Sequence, residues 1–182
     1  MDTDLVTRAQ HGDEEAFAVI AVAVGDRLHS VAQRILRDVS LAEDATQQAL
    51  LAIWRDLPML RDPARFEAWA YRLVVRACYA EGRRAHTWQP ELRLLPRDEP
   101  VQTDSARSLA DRDQLDRGFR RLSVDHRAVI VLHHYLDLPV DQVADVLGVP
   151  AGTVRSRLHY AMRAMRSALE ADARTPAMGT AL

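Results

Sequence analysis

Residues 151–166 contain Arg155, Arg157, Arg163 and Arg166, and no acid follows them before Glu170. Guanidinium groups along one helix pair with phosphates and with base edges in a major groove. That chemistry is recognition, not catalysis. A second basic segment, 61–84, holds six arginines against three acids. There Phe66, Trp69, Ala70, Leu73, Val74 and Ala77 recur at helical spacing and predict a buried face, so Phe66 and Trp69 are read as core. Tyr71, Arg72, Arg76, Tyr79 and Arg83 fall off that face and become the candidates for DNA. An unpaired strand needs aromatic surfaces to stack its bases and arginines to hold the adjacent phosphates. Arg61 and Arg65 flank the turn into this helix and could contact such a strand. A third cluster, Glu43, Asp44, Gln47 and Gln48, sets carboxylates and amides near the start of a helix, a surface suited to an arginine-bearing partner helix.

Other chemistries find little footing. No Ser, His and Asp grouping, glycine-rich phosphate loop or carboxylate pair suggests catalysis, so no enzymatic activity of its own is expected. His133 and His134 are adjacent and point to different parts of a helix surface. His159 has no companion at ligand spacing, so neither a metal nor a cofactor is expected. The single cysteine, Cys78, excludes an intrachain disulfide and a thiolate cluster.

The arginines of 151–166 must be held by a scaffold, and residues 139–170 have the spacing of a helix-turn-helix. Ala144 is small enough for two helices to cross, Gly148 stands four later where the turn needs positive φ, and Val154 six beyond closes the core. Val143, Leu147, Val149 and Leu158 supply the remaining apolar contacts. Upstream, the chain predicts four helices. A short one spans Asp4 to Gln10 and ends at Gly12, and Asp13 caps a long one to about Leu36. Ser40 with Glu43 forms a capping box for a third, ending near Asp56 before Pro58. Asp62 with Pro63 opens the fourth, to about Arg84.

Pro90, Pro96 and Pro100 break periodicity between 85 and 112, which reads as a linker. Helices follow from about Leu109 to Leu122 and from Ser123 to Leu136, before the helix-turn-helix. The expected fold is all-α: two helical domains, 1–84 and 113–172, joined by a flexible linker over 85–112, with a mobile tail over 173–182. A linker poor in apolar residues predicts domains that move independently in the free chain.

Charge is segregated along these 182 residues. The net charge is −2, yet residues 1–60 hold ten acids against five arginines. Contact with DNA should therefore be local, with the acidic parts facing protein. All 24 basic residues are arginine, lysine and asparagine are absent, and a GC-rich coding sequence explains this most simply. No apolar run approaches the roughly 20 residues of a membrane span, and the opening MDTDLVTRAQ is too polar for a signal peptide. A cytoplasmic protein is expected.

Four segments carry a family likeness. DLVTRAQHGDEEAF (4–17), AEDATQQALLAIW (42–54), FEAWAYRLVVRACYAEGRR (66–84) and LGVPAGTVRSRL (147–158) occur in the order found in bacterial RNA polymerase sigma factors. The chain resembles the small, two-domain extracytoplasmic-function type of the sigma-70 family. That resemblance implies a factor that directs core RNA polymerase to promoter DNA. Glu43, Asp44, Gln47 and Gln48 would dock on the polymerase clamp. Arg61, Arg65, Tyr71, Arg72, Arg76, Tyr79 and Arg83 would meet the downstream promoter element, and Thr153, Arg155, Ser156, Arg157, Tyr160 and Arg163 the upstream one. An anti-sigma factor is a further partner common to the type, with nothing in the sequence to assign one to this chain. Arg76 stands where many relatives have asparagine, Ala80 where many have aspartate, Tyr160 where a basic residue is frequent, and Pro139 where a serine or threonine commonly caps. An autonomous helix-turn-helix regulator and a sigma-like decoy that binds only an anti-sigma protein stay open as alternatives.

Overall fold

A computed structural model describes residues 1–88 and 116–173 of the chain. Its elements in order are α1 (Thr3–Gln10), α2 (Glu14–Leu36), α3 (Val39–Asp56), α4 (Phe66–Trp88), α5 (Val124–Ile130), α6 (Val140–Leu147) and α7 (Ala151–Ala173). Residues 116–120 form a further helical stretch, and no strand occurs among the described residues. The all-α fold with two helical units agrees with expectation. Most of the linker, and the tail beyond 173, lie outside the described residues, as does the expected helix between Leu109 and residue 115.

Local chemistry sets most boundaries. Asp13 caps α2 by accepting the Ala16 amide at 2.9 Å, and Asp62 caps the 3-10 turn Pro63–Arg65 that leads into α4. Two expectations are corrected. The cap of α3 is Asp38, which accepts the Leu41 amide at 2.9 Å, so Ser40 already lies inside the helix and no capping box forms. Helix α4 runs past Arg84 to Trp88, carrying the first residues of the expected linker.

Ser123 caps α5. The helix then closes in a π turn over Val131–Tyr135, where the Leu136 amide reaches the Val131 carbonyl at 3.1 Å. His133 Nδ1 donates to the Leu138 carbonyl at 2.8 Å, which ties the segment after the π turn back onto it.

The first unit buries Val6, Ile20, Leu28, Ile35, Ile53, Phe66 and Val74. In the second, Val129, Leu132, Val143 and Val154 are buried, and Gly148 turns the chain at φ +67°. These residues belong to one continuous core. Helices α2 and α4 pack directly against α5 and α6. A Cβ built on Gly82 of α4 would lie 3.4 Å from the Val124 side chain of α5, so Val124 packs directly over the Gly82 backbone. Independent domains leave out this contact, which joins residues far apart in the chain.

Candidate nucleic-acid interface

Helix α7 presents Arg155, Ser156, His159, Tyr160 and Arg163 on its exposed side, which recur at the 3–4 residue spacing of a single helical face. Its opposite side buries Val154 and Ala161 against the rest of the domain. Thr153 is half-buried at the margin, its carbonyl accepting from Ser156 Oγ at 2.9 Å. Arg157 stands two residues, about 200°, around the axis from Arg155. It turns toward α5 and pairs with Asp125 at 3.1 Å, with only 26% of its side chain exposed. His159, without a companion at metal-ligand spacing, stands four residues from Arg155 and so lies on the exposed face.

Helix α4 is buried on more than the one predicted face. Tyr71 is 5% exposed, and Arg27 Nη1 reaches its hydroxyl at 3.4 Å. Burial raises the Tyr71 pKa, and the hydrogen bond from Arg27 opposes the rise. Tyr79 is half-buried, and its hydroxyl is enclosed without a hydrogen bond beside the Asp125–Arg157 pair. Burial is the main cause of its raised pKa, with the Asp125 charge second. The expectation that both tyrosines lie off the packed surface is therefore corrected. The second domain covers a second stripe of α4, marked by Tyr71, Tyr79 and Gly82.

Arg76 and Arg83 are exposed. Arg61, Arg65, Trp69 and Arg72 gather instead around a cleft of about 220 Å³ between the start of α4 and the end of α6. Trp69 is only partly buried, so it contributes a surface as well as core packing. Arg72 Nη2 donates to the Asp145 carbonyl at 2.7 Å, and Arg65 Nη2 to the Asp145 carboxylate at 3.3 Å. The sequence-predicted cations of 61–72 thus come together, while Arg76 and Arg83 do not line this cleft.

On α3, Glu43, Asp44 and Gln47 are exposed. Gln48 turns inward and donates to the buried Glu81 carboxylate, which also accepts from Arg84 Nη1 at 2.8 Å. The exposed stripe continues through Leu51, 63% exposed, to Trp54, 46% exposed. Trp54 meets Phe17 edge-on with ring centroids 4.5 Å apart. Acidic and amide groups at one end of α3 therefore run into an apolar surface at the other, a continuation the sequence reading did not mark.

Comparison with known proteins assigns this combination. Residues 21–88 match the model of sigma-70 region 2, and residues 112–165 match that of sigma-70 region 4. The chain belongs to the extracytoplasmic-function sigma factors of the sigma-70 family. It is 34% identical over 143 residues to the sigma factor SigL of Mycobacterium tuberculosis, covering 76% of this chain and 80% of that protein. It is 24% identical over 179 residues to SigW of Bacillus subtilis, covering 90% and 94%.

Among solved structures, CnrH in complex with the cytosolic domain of CnrY aligns with a TM-score of 0.65 at 25% identity, covering 94% of this chain and 98% of that one. RpoE of Bartonella quintana, solved with the anti-sigma factor NepR, has the same fold, with a TM-score of 0.68 at 22% identity and coverage of 86% and 98%. The protein is a sigma factor and acts in promoter-directed initiation of transcription. No helix among its described residues is long and apolar enough to cross a membrane.

Proposed function

We propose that this sigma factor divides its work among three surfaces. The exposed stripe of α3, Glu43, Asp44 and Gln47 extended by Leu51 and Trp54, docks on core RNA polymerase. Acidic groups at one end and apolar groups at the other suit a partner helix with basic and apolar positions in the matching order. The cleft of Arg61, Arg65, Trp69 and Arg72, with Arg76 and Arg83 beyond it, holds the downstream element as its strands part. Tyr71, Tyr79 and Arg157 support these surfaces in the closed arrangement and touch a partner only if the domains separate, while Gln48 is held by Glu81 within the first domain. Helix α7 reads the upstream element with Arg155, Ser156, His159, Tyr160 and Arg163, and Thr153 stands at the edge of that face.

The observation that carries this reading is the exposed face of α7, the second helix of the helix-turn-helix, cationic and free of acid over residues 151–166. RNA synthesis itself belongs to the polymerase, and this chain supplies no catalysis. It works in the cytoplasm, where promoter and polymerase are. The likeness to CnrH, solved with the cytosolic domain of CnrY, supports a further protein partner.

Copurification with core polymerase followed by run-off transcription tests the reading. The wild-type chain is expected to bind core enzyme and initiate, and Asp44→Arg with Gln47→Arg to lose core binding while its helical circular dichroism is unchanged. Undiminished association of the double variant would refute the docking surface. Specific promoter binding without polymerase would return the autonomous regulator.

A further inference from the structure

We propose that Asp145 is a built-in competitor of promoter DNA, which holds the second domain over the downstream cleft in the free chain. The proposal rests on the reading of that cleft as the downstream site. Asp145 lies in the last turn of α6, just ahead of Gly148. The last four carbonyls of a helix have no intrahelical partner, and their end of the helix carries partial negative charge. The Gly148 and Val149 amides both return to the Ala144 carbonyl, which leaves the Asp145 carbonyl to accept from Arg72 at 2.7 Å. Its carboxylate accepts from Arg65 at 3.3 Å. One residue thus presents an anionic group and a carbonyl to the two arginines, the kind of acceptor pair a backbone phosphate offers to a guanidinium fork.

The contact is built to be broken. Arg72 Nε is buried without a hydrogen-bond partner, so Asp145 leaves this guanidinium partly unsatisfied, and a phosphate with more acceptor oxygens satisfies it better. The Arg65–Asp145 pair is exposed on both sides, at 65% and 60%, where ion pairs are weak and screened by salt. Asp145 also stands between two clefts, of about 220 and 280 Å³, that separate α4 from α6. Packing at this seam is therefore open where the arginines meet it. An unpaired strand that takes Arg65 and Arg72 releases α6, and release of α6 exposes the cleft.

The full chain serves for the test. Small-angle X-ray scattering reports domain separation, and the anisotropy of a labelled, mixed-sequence, single-stranded oligonucleotide reports access to the cleft. Asp145→Asn removes charge at constant shape, and Asp145→Arg sets a like charge against both arginines. Asp141→Arg, which lies on α6 but lines neither cleft, controls for added charge. Asp145→Asn should bind the oligonucleotide about threefold more tightly than wild type, the scale an exposed ion pair supports. Asp145→Arg should bind more tightly than Asp141→Arg and scatter as a more extended particle. Arg65→Asp combined with Asp145→Arg should restore the compact profile. Equal binding by Asp145→Asn and wild type, or equal compactness of Asp145→Arg and Asp141→Arg, overturns the proposal. If Asp145→Arg does not fold, the Asp145→Asn binding ratio decides. Oligonucleotide binding left unchanged by Arg61→Ala would strike the reading of the cleft as the downstream site, whereas unchanged compactness strikes the Asp145 contact alone.

Discussion

Asp13 satisfies two demands with one carboxylate. It accepts the Ala16 amide at the start of α2 and pairs with Arg8 at 2.6 Å across the α1–α2 turn. The backbone hydrogen bond first, and the Arg8 bond second, hold its pKa below the ordinary carboxylate value. Its folded pKa therefore lies below the unfolded one of about 3.9. The stabilisation is complete above the unfolded value and is lost as pH falls through the folded one. Asp13→Ala should lower the urea midpoint at neutral pH, and the gap to wild type should narrow as pH falls below the unfolded value of about 3.9. A gap that persists at acid pH would assign the effect to packing. Asp38 and Ser40 allow a second measurement. Loss of the cap in Asp38→Ala should cost about 1 kcal/mol, whereas Ser40→Ala, inside α3, should be near neutral in the same denaturation experiment.

At the scale of elements, Gly148 and Gly25 show that free space and allowed conformation are separate requirements. A Cβ would meet nothing within 4 Å at either position, yet only Gly148 has a positive φ, of +67°. Gly148→Ala should destabilise the helix-turn-helix by about 1–2 kcal/mol through backbone conformation alone. Gly25→Ala, inside α2, should stabilise by about 0.5–1 kcal/mol. Thermal unfolding of the two variants should therefore shift in opposite directions. Helix α7 has a similar pair in Arg155 and Arg157. Alanine at exposed Arg155 should weaken upstream-element binding by the holoenzyme by about 1–3 kcal/mol if it reads a base. Alanine at Arg157 should lower the melting temperature more than it changes DNA affinity, because it strands Asp125 beside the enclosed Tyr79 hydroxyl. Equal losses of DNA affinity would place Arg157 on the reading face after all.

Across the whole molecule, α4 is shared property: α2 and α3 pack on one side and the second domain on another. Ties at the far end reinforce the docking. Arg37 pairs with Asp116, Arg127 Nη1 donates to the Leu36 carbonyl at 3.2 Å, and Arg34 lies 3.8 Å from the Tyr135 ring centroid. Burial lowers the Arg127 pKa to about 10, with the nearby Arg37 charge adding to the shift, a desolvation that the docked arrangement has to offset. Gly82 tests the docking by volume. Gly82→Leu should drive a branched side chain into Val124 and Leu36 and separate the domains, so that calorimetry resolves two transitions where wild type has one. A single unshifted transition would mean that the domains are coupled elsewhere.

Sequence by itself determined the helices, the caps at Asp13 and Asp62, the glycine turn of the helix-turn-helix and the order of segments that marks the family. The helices, caps and turn depend on residues a few positions apart, where helical periodicity and capping chemistry operate directly, and the family order is read along the chain without any folding. Which side chains remain available was decided only by tertiary structure. Gln48 is taken by Glu81, 33 residues away, and Arg72 by Asp145, 73 residues away. Tyr71 looked free because periodicity marks the most apolar stripe of a helix, and α4 is packed along two. A half-polar stripe of tyrosines, arginines and a glycine has no apolar signature of its own, and it becomes an interface only when another domain brings matching groups to it.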